Sequence, residues 1–155
     1  MIQYQHRQWG KTLLLVLSIG ILVCLVLAIQ NPTKYLIGLC SALGLLLFII
    51  LFFSLSIEVS DQDLRWQFGP GIIRKSVKLS EIAQVEVTRT NLIEGWGIHL
   101  TSRGWLYNIS GFQAVAIQLK NNQQFLLGTD EPEQLVSAIR QQLILVDQGM
   151  SLPTL

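Results

Sequence analysis

Two uninterrupted apolar runs near the start of the chain constrain everything that follows them. Thr12–Ile29 reads TLLLVLSIGILVCLVLAI and Tyr35–Leu55 reads YLIGLCSALGLLLFIILFFSL, and neither holds a charged residue. At about 1.5 Å of rise per residue, a helix of either run crosses a hydrocarbon layer roughly 30 Å thick. A helix lying on a water-soluble core keeps a polar face, and neither run has one. The expectation is a pair of transmembrane helices, 12–29 and 35–55. They are joined by a tight loop, 30–34, in which Pro32 forces Asn31 out of the helical region.

Composition agrees. Of 155 residues, 50% are hydrophobic and 14% charged, against roughly one quarter charged in soluble domains. The first run is longer than the roughly 7–15 residues of a signal-peptide core, and no small-residue cleavage site follows it, so it reads as a retained anchor. Both cysteines, Cys24 and Cys40, fall inside the runs. That leaves no disulfide framework or thiolate metal site elsewhere. No ionisable residue interrupts either run, which argues against a proton relay or ion path. Small residues at four-residue spacing, Gly20, Cys24 and Ala28 on the first helix and Gly38 and Ala42 on the second, mark where the helices would approach closely in lipid.

Lysine and arginine set the expected orientation. Arg7 and Lys11 precede the first run, Arg65, Arg74, Lys75 and Lys78 follow the second, and Lys34 alone lies between them. The positive-inside rule then puts both termini in the cytoplasm, with residues 1–11 as a short tail. The net charge of +1 gives no reason to expect nucleic acid as a partner.

From Ser56 onward the hydrophobic period becomes two. Ile57 and Val59, then Leu64, Trp66 and Phe68, alternate with polar residues on either side of the turn SDQD, as in a hairpin with one buried face. Ile73, Val77 and Leu79 form the next strand, in which Lys75 breaks the alternation as an edge position would. Val85 and Val87 follow, then Ile98 and Leu100, with His99 expected on the solvent face. Trp105, Tyr107 and Ile109 read as core. AVAIQLK and QQFLLGT flank Asn121–Asn122, a pair that tolerates positive φ. Asp130 is positioned as a helix N-cap, with Pro132 in the first turn and Glu133 completing a capping box. Leu135, Ile139 and Leu143 then mark an amphipathic helix. The domain is expected to span 56–145 and to leave 146–155 as a flexible tail.

The strings DLRWQFGPG, KLSEIAQVE, GWGIHLTSRGWLYNISG, AVAIQL and GTDEPEQLVSAI resemble the bacterial pleckstrin-homology-like (PH-like) domain proteins, from about Ser56 to Leu143. The resemblance implies a mainly-β roll or barrel of about seven antiparallel strands with a C-terminal capping helix, carried here on a transmembrane hairpin of the bacterial inner membrane. It implies a membrane-associated interaction module and no particular activity. Eukaryotic PH domains hold phosphoinositides with basic residues around the first hairpin. Here that turn, Ser60-Asp61-Gln62-Asp63, is acidic, so that property does not carry over.

No catalytic pattern stands out. GxSxG and SxxK are absent, and the glycines lack the spacing of a phosphate cradle. His99 has no partner at ligand or triad spacing. Asn108-Ile109-Ser110 matches a glycosylation sequon by chance, within a strand. No catalytic, cofactor or metal residues are assigned. The candidate contacts for a membrane-protein partner, for self-association or for anionic lipid are Arg74, Lys75 and Lys78, near the bilayer exit, and Trp96, placed by its flanking glycines in an exposed loop. The reading is a non-enzymatic, membrane-anchored scaffold or accessory subunit. An anionic-lipid sensor is the alternative, and a cryptic enzyme the least supported.

Overall fold

The computed structural model describes residues 2–91 and 94–147. Its first element departs from the sequence reading. Within the expected N-terminal tail, Ile2–Trp9 form strand β1. Helix α1 (Lys11–Gln30) follows, then a single 3₁₀ turn at Pro32–Lys34 and helix α2 (Tyr35–Phe52). Strand β2 (Ser54–Ser60) begins two residues earlier than expected, so Leu55 is not membrane helix but fully buried domain core.

β1 and β2 are antiparallel partners, with Ile2 opposite Ser60 and Trp9 opposite Ser54. Beyond Trp9 the Gly10 amide donates to the Phe53 carbonyl at 3.0 Å. The helix pair is thus the connection of a β-hairpin, and both helices leave the domain at one point. Strands before and after the pair must therefore lie on the same side of whatever the helices cross. Removal of the first helix as a signal segment would also take β1 out of its sheet.

The helices have mean hydropathies of 3.1 and 2.6, and only 6% of each apolar window is buried within the protein. That low burial separates them from the core helices of a soluble fold, which would be covered. They pack on each other through small residues. A Cβ on Gly38 would lie 2.6 Å from the Ala28 Cβ and 2.9 Å from the Cys24 carbonyl, whereas one on Gly44 would meet nothing within 4 Å. Ala28 and Ala42 are buried, and a Cβ on Gly20 would lie 3.3 Å from Leu45.

The remaining strands are β3 (Asp63–Phe68), β4 (Ile73–Lys78), β5 (Ile82–Arg89), β6 (Gly97–Thr101), β7 (Gly104–Asn108), β8 (Gln113–Leu119) and β9 (Gln124–Gly128), followed by helix α3 (Pro132–Asp147). The described residues hold nine strands rather than about seven, in two sheets ordered β1-β2-β3-β4 and β5-β8-β9-β7-β6. The second sheet is mixed, because β7 runs parallel to β9. Leu55, Ile57, Leu64 and Phe68 from the first sheet share one core with Val115, Ile117 and Leu127 from the second and Leu135 and Ile139 from α3. At its centre Trp66 stacks on Phe125 at 5.0 Å and meets Tyr107 edge-on at 5.2 Å. Residues 146 and 147, expected in the tail, extend α3, and the rest of that tail lies outside the described residues.

Three side chains depart from simple alternation. Trp105 is 50% exposed and its cross-strand neighbour Leu100 is 68% exposed. They share a face with Tyr107 and Ile98, which reach the shared core, but sit at the turn end of that strand pair, past the part of the face that the core covers. His99 is only partly exposed, and its Nε2 is buried without a partner. Asp130 does not cap α3, since its carboxylate meets His6 instead and the Thr129 hydroxyl accepts from the Glu131 amide. The Asn121–Asn122 turn does use positive φ, 65° at Asn122.

The β3–β4 turn is wedged against the end of α2. Gly69 has φ +48°, its amide donates to the Ser54 carbonyl at 2.8 Å, and a Cβ there would lie 2.6 Å from the Leu51 carbonyl oxygen. Gly69→Ala should therefore destabilise the solubilised chain by about 1–3 kcal/mol, through both the backbone angle and the contact. Within the helix pair, Gly38→Ile should cost about 1–3 kcal/mol by overpacking, while Gly44→Ile should be near neutral. Thermal unfolding in one detergent, comparing all three variants with the parent, checks both expectations.

Candidate functional site

The outward face of the first sheet is built by alternation on each strand. β1 presents Gln5 and Arg7, β2 presents Ser56 and Glu58, β3 presents Arg65 and Gln67, and β4 presents Arg74 and Ser76. The register aligns these as rows across four strands. Arg7, Ser56, Gln67 and Arg74 form one row, and Gln5, Glu58, Arg65 and Ser76 the next. Together they line a groove of about 1070 Å³, with Lys75 and the Gly69–Pro70 turn at its margin. Its lining carries Arg7, Arg65, Arg74 and Lys75 against Glu58 alone.

The cations differ in how they are held. Arg7 donates from Nε and Nη2 to the Ser54 hydroxyl at 3.1 and 3.0 Å. Its guanidinium lies 5.0 Å from the Trp9 ring centroid and 5.3 Å from that of Phe53, so it bends toward the helix exit. Arg65 pairs with Asp63 at 2.8 Å. Neither Arg74 nor Lys75 forms a hydrogen bond or ion pair among the described residues, and both are exposed. Lys75 stands opposite Trp66, on the core side of an edge strand, which explains its break in the alternation.

The structure brings Arg74 into this groove, leaves Lys75 at its margin on the opposite face of β4, and separates Lys78 from both. Lys78 ends β4 opposite Asp63, four residues and roughly 13 Å along the strand from Arg74. Trp96 lies elsewhere, half-buried, its indole N–H donating to the Gly111 carbonyl at 3.1 Å. Gly111 adjoins Ser110, whose carbonyl accepts from the Gln8 side chain at 3.0 Å, and Ile109, which abuts Gly10. Trp96 therefore belongs to the helix-exit side of the domain. Sequence reasoning missed Arg7, Ser56 and Gln67 as members of the groove. The signal available was the alternation of Tyr4, His6 and Gln8 with Gln5 and Arg7, which marks β1 as a strand.

Two further polar clusters brace the domain. On the inward side of β1, the His6 Nε2 lies 2.6 Å from Asp130 and Nδ1 lies 3.2 Å from Glu131, while the Tyr4 hydroxyl donates to Glu131 at 3.3 Å. Burial, with Glu131 and Asp130 beside it, pushes the Tyr4 hydroxyl well above its ordinary range. The strand ahead of the helices is thereby tied to the start of α3. On the second sheet, β5 and β6 are the two ends of the strand order, and the β6–β7 turn reaches the end of β5. Arg103 fastens it, donating to Glu94 at 2.9 Å, to the Thr88 hydroxyl at 2.9 Å and to the Arg89 carbonyl at 3.0 Å. Burial opposes the charge on Glu94, but the hydrogen bond from Arg103 and that from the Asn91 amide outweigh it and hold the carboxyl below its usual range.

Among the described residues no group of three or more His, Cys, Asp or Glu side chains is arranged to hold a metal ion. In comparisons with known proteins, no family model, curated protein or solved structure matches the chain.

Because the folded carboxyl of Glu94 titrates below its unfolded value of about 4.3, its contribution to stability is complete above that pH. It is lost as pH falls through the lower folded value. Glu94→Gln should lower stability at pH 7 and flatten the acid limb of a stability-against-pH curve. An unchanged acid limb would show that the Arg103 clasp does not contribute.

Proposed function

We propose that this chain is a non-enzymatic, PH-like interaction module held against the cytoplasmic face of a bacterial inner membrane, where it serves as a scaffold or accessory subunit. The observation that carries the reading is the insertion of the helix pair into the β1–β2 hairpin. Without a linker at either crossing, the domain has little freedom to leave the bilayer surface, and its reach is limited to the headgroup layer and to neighbouring membrane proteins.

The PH-like assignment is supported by a four-stranded antiparallel sheet packed on a second sheet, with an amphipathic C-terminal helix against their shared core. The cytoplasmic side is supported by charge. Arg7 and Lys11 lie on the same side as Arg65, Arg74, Lys75 and Lys78, because β1 and β2 pair, and Lys34 alone lies at the opposite end of the helices. The groove on the outward face of the first sheet, where Arg74 has no internal partner among the described residues, is the binding surface this reading favours.

The topology is tested with single cysteines at Thr33 and Gln62 in a background where Cys24 and Cys40 are serine. On intact cells a membrane-impermeant thiol reagent should label position 33 and spare position 62 until the membrane is opened. The reverse pattern would place the domain outside and contradict the reading. The accessory role is tested by isolating the full chain from native membranes in mild detergent. It should carry one membrane protein at fixed stoichiometry, and recovery of the chain alone would count against that role.

A further inference from the structure

The row Arg7–Ser56–Gln67–Arg74 lies close to the helix exit on every strand that contributes to it. Arg7 is two residues from Trp9, the last residue of β1, and Gln67 is two residues from Gly69, which abuts the final carbonyls of α2. Arg74 is two residues from Ile72, which is 72% exposed at the same level of the fold. Two strand residues span roughly 7 Å. The polar region on each side of a bilayer is about 5–7 Å deep, from a total thickness near 40–45 Å and a core near 30 Å. The row therefore stands at headgroup height. Ile72 on one flank and Trp9 on the other, 49% exposed, leave apolar surface on the helix side of the row.

The donors of this row suit a phosphate. Two guanidinium groups flank a hydroxyl and a carboxamide, and the groove's carboxylate, Glu58, belongs to the next row out. Guanidinium presents paired N–H groups that match phosphate oxygens. Arg7 already leans over β2 through Ser54 and Phe53 while keeping its Nη1 group free of internal partners. The remaining separation to β4 is about two strand spacings, roughly 10 Å, which an extended Arg74 and one phosphate group can fill.

We infer that this row is a binding site for the phosphate of a net-negative lipid headgroup of the chain's own bilayer, seated between Arg7 and Arg74 with Ile72 at the acyl boundary. The inference rests on the membrane-anchored reading above and assigns its binding surface a ligand. A lipid is favoured over a free phosphate ester because the row is held at headgroup height by the helices themselves, where anionic headgroups are concentrated.

The test uses the full chain in neutral detergent micelles, titrated with short-chain phosphatidylglycerol, short-chain phosphatidylcholine and free glycerol 3-phosphate, with binding followed by native mass spectrometry. Phosphatidylglycerol should bind at least about tenfold more tightly than either of the others. Arg74→Gln should weaken it about fivefold, consistent with one juxtamembrane charge, and Lys120→Gln, on an exposed turn away from the groove, should leave it unchanged. Arg7→Gln combined with Arg74→Gln should weaken it further. Arg74 has no internal partner, so its substitution separates lost binding from lost folding. Equal binding of the two lipids, or no effect of Arg74→Gln, would overturn the site. Glycerol 3-phosphate binding as tightly as the lipid would overturn the lipid assignment in favour of a free phosphate ester. The side of the membrane does not enter a micelle measurement, so failure here and failure of the cysteine topology test are independent.

Discussion

The β1–β2 ladder, closed at the helix exit by the bond from Gly10 to Phe53, is the constraint on which the rest of the architecture depends. Strand pairing across a long flexible connection carries an entropic cost that grows with the logarithm of its length. Here the connection is an antiparallel helix pair, ordered by its own packing. It delivers Gly10 and Phe53 side by side with their strands already pointing away from the helices, so the hairpin forms across a rigid rather than a flexible loop. Gly38 against Ala28 and Cys24 thus contributes to domain geometry as well as to helix association.

Once both helix–strand junctions are fixed, the domain's surfaces acquire distinct environments. The turn at Gly69 rests on the end of α2, Phe52 meets Phe68 at 5.4 Å, and Trp9 lies 5.6 Å from Phe53, so the exit is bounded by aromatic contacts from the end of α2 to β1 and β3. The far end of the sheet carries the acidic turn with Asp61 and Asp63. The outward face of the first sheet falls between these limits, and its cations are graded in the same direction. Arg65 is neutralised by Asp63, toward the far end, whereas Arg74 is left without an internal partner nearer the helices. The bracing by His6 against Asp130 and Glu131 ties the leading strand to α3 and keeps the face from shearing relative to the core.

Much of this was legible in the sequence, and where it was not the reasons are physical. The helix pair announced itself through two uncharged runs, and the core of β2 and β3 through alternation at Ile57 and Val59 and again from Leu64 to Phe68. β1 was obscured because five of its eight residues are Gln, His or Arg, with Ile2, Tyr4 and Trp9 too sparse to mark a buried face, and because its partner lies beyond two helices. The groove followed from that omission. Spacing along β4 grouped Arg74 with Lys78, whereas cross-strand register groups Arg74 with Gln67, Ser56 and Arg7, and register is not written in any single strand. Trp105 and Leu100 show the converse limit. Alternation tells which face a side chain shares, and only the neighbouring sheet decides whether that face is covered.

The most direct test of the account is hydrogen–deuterium exchange on the full chain reconstituted in bilayers, read on the peptide covering residues 2–9. If β1 is the clasp that closes the domain over the helix pair, its amides facing β2 should exchange as slowly as those of β2 itself. Exchange of the segment at the rate of an unstructured tail, with β2 still protected, would contradict it.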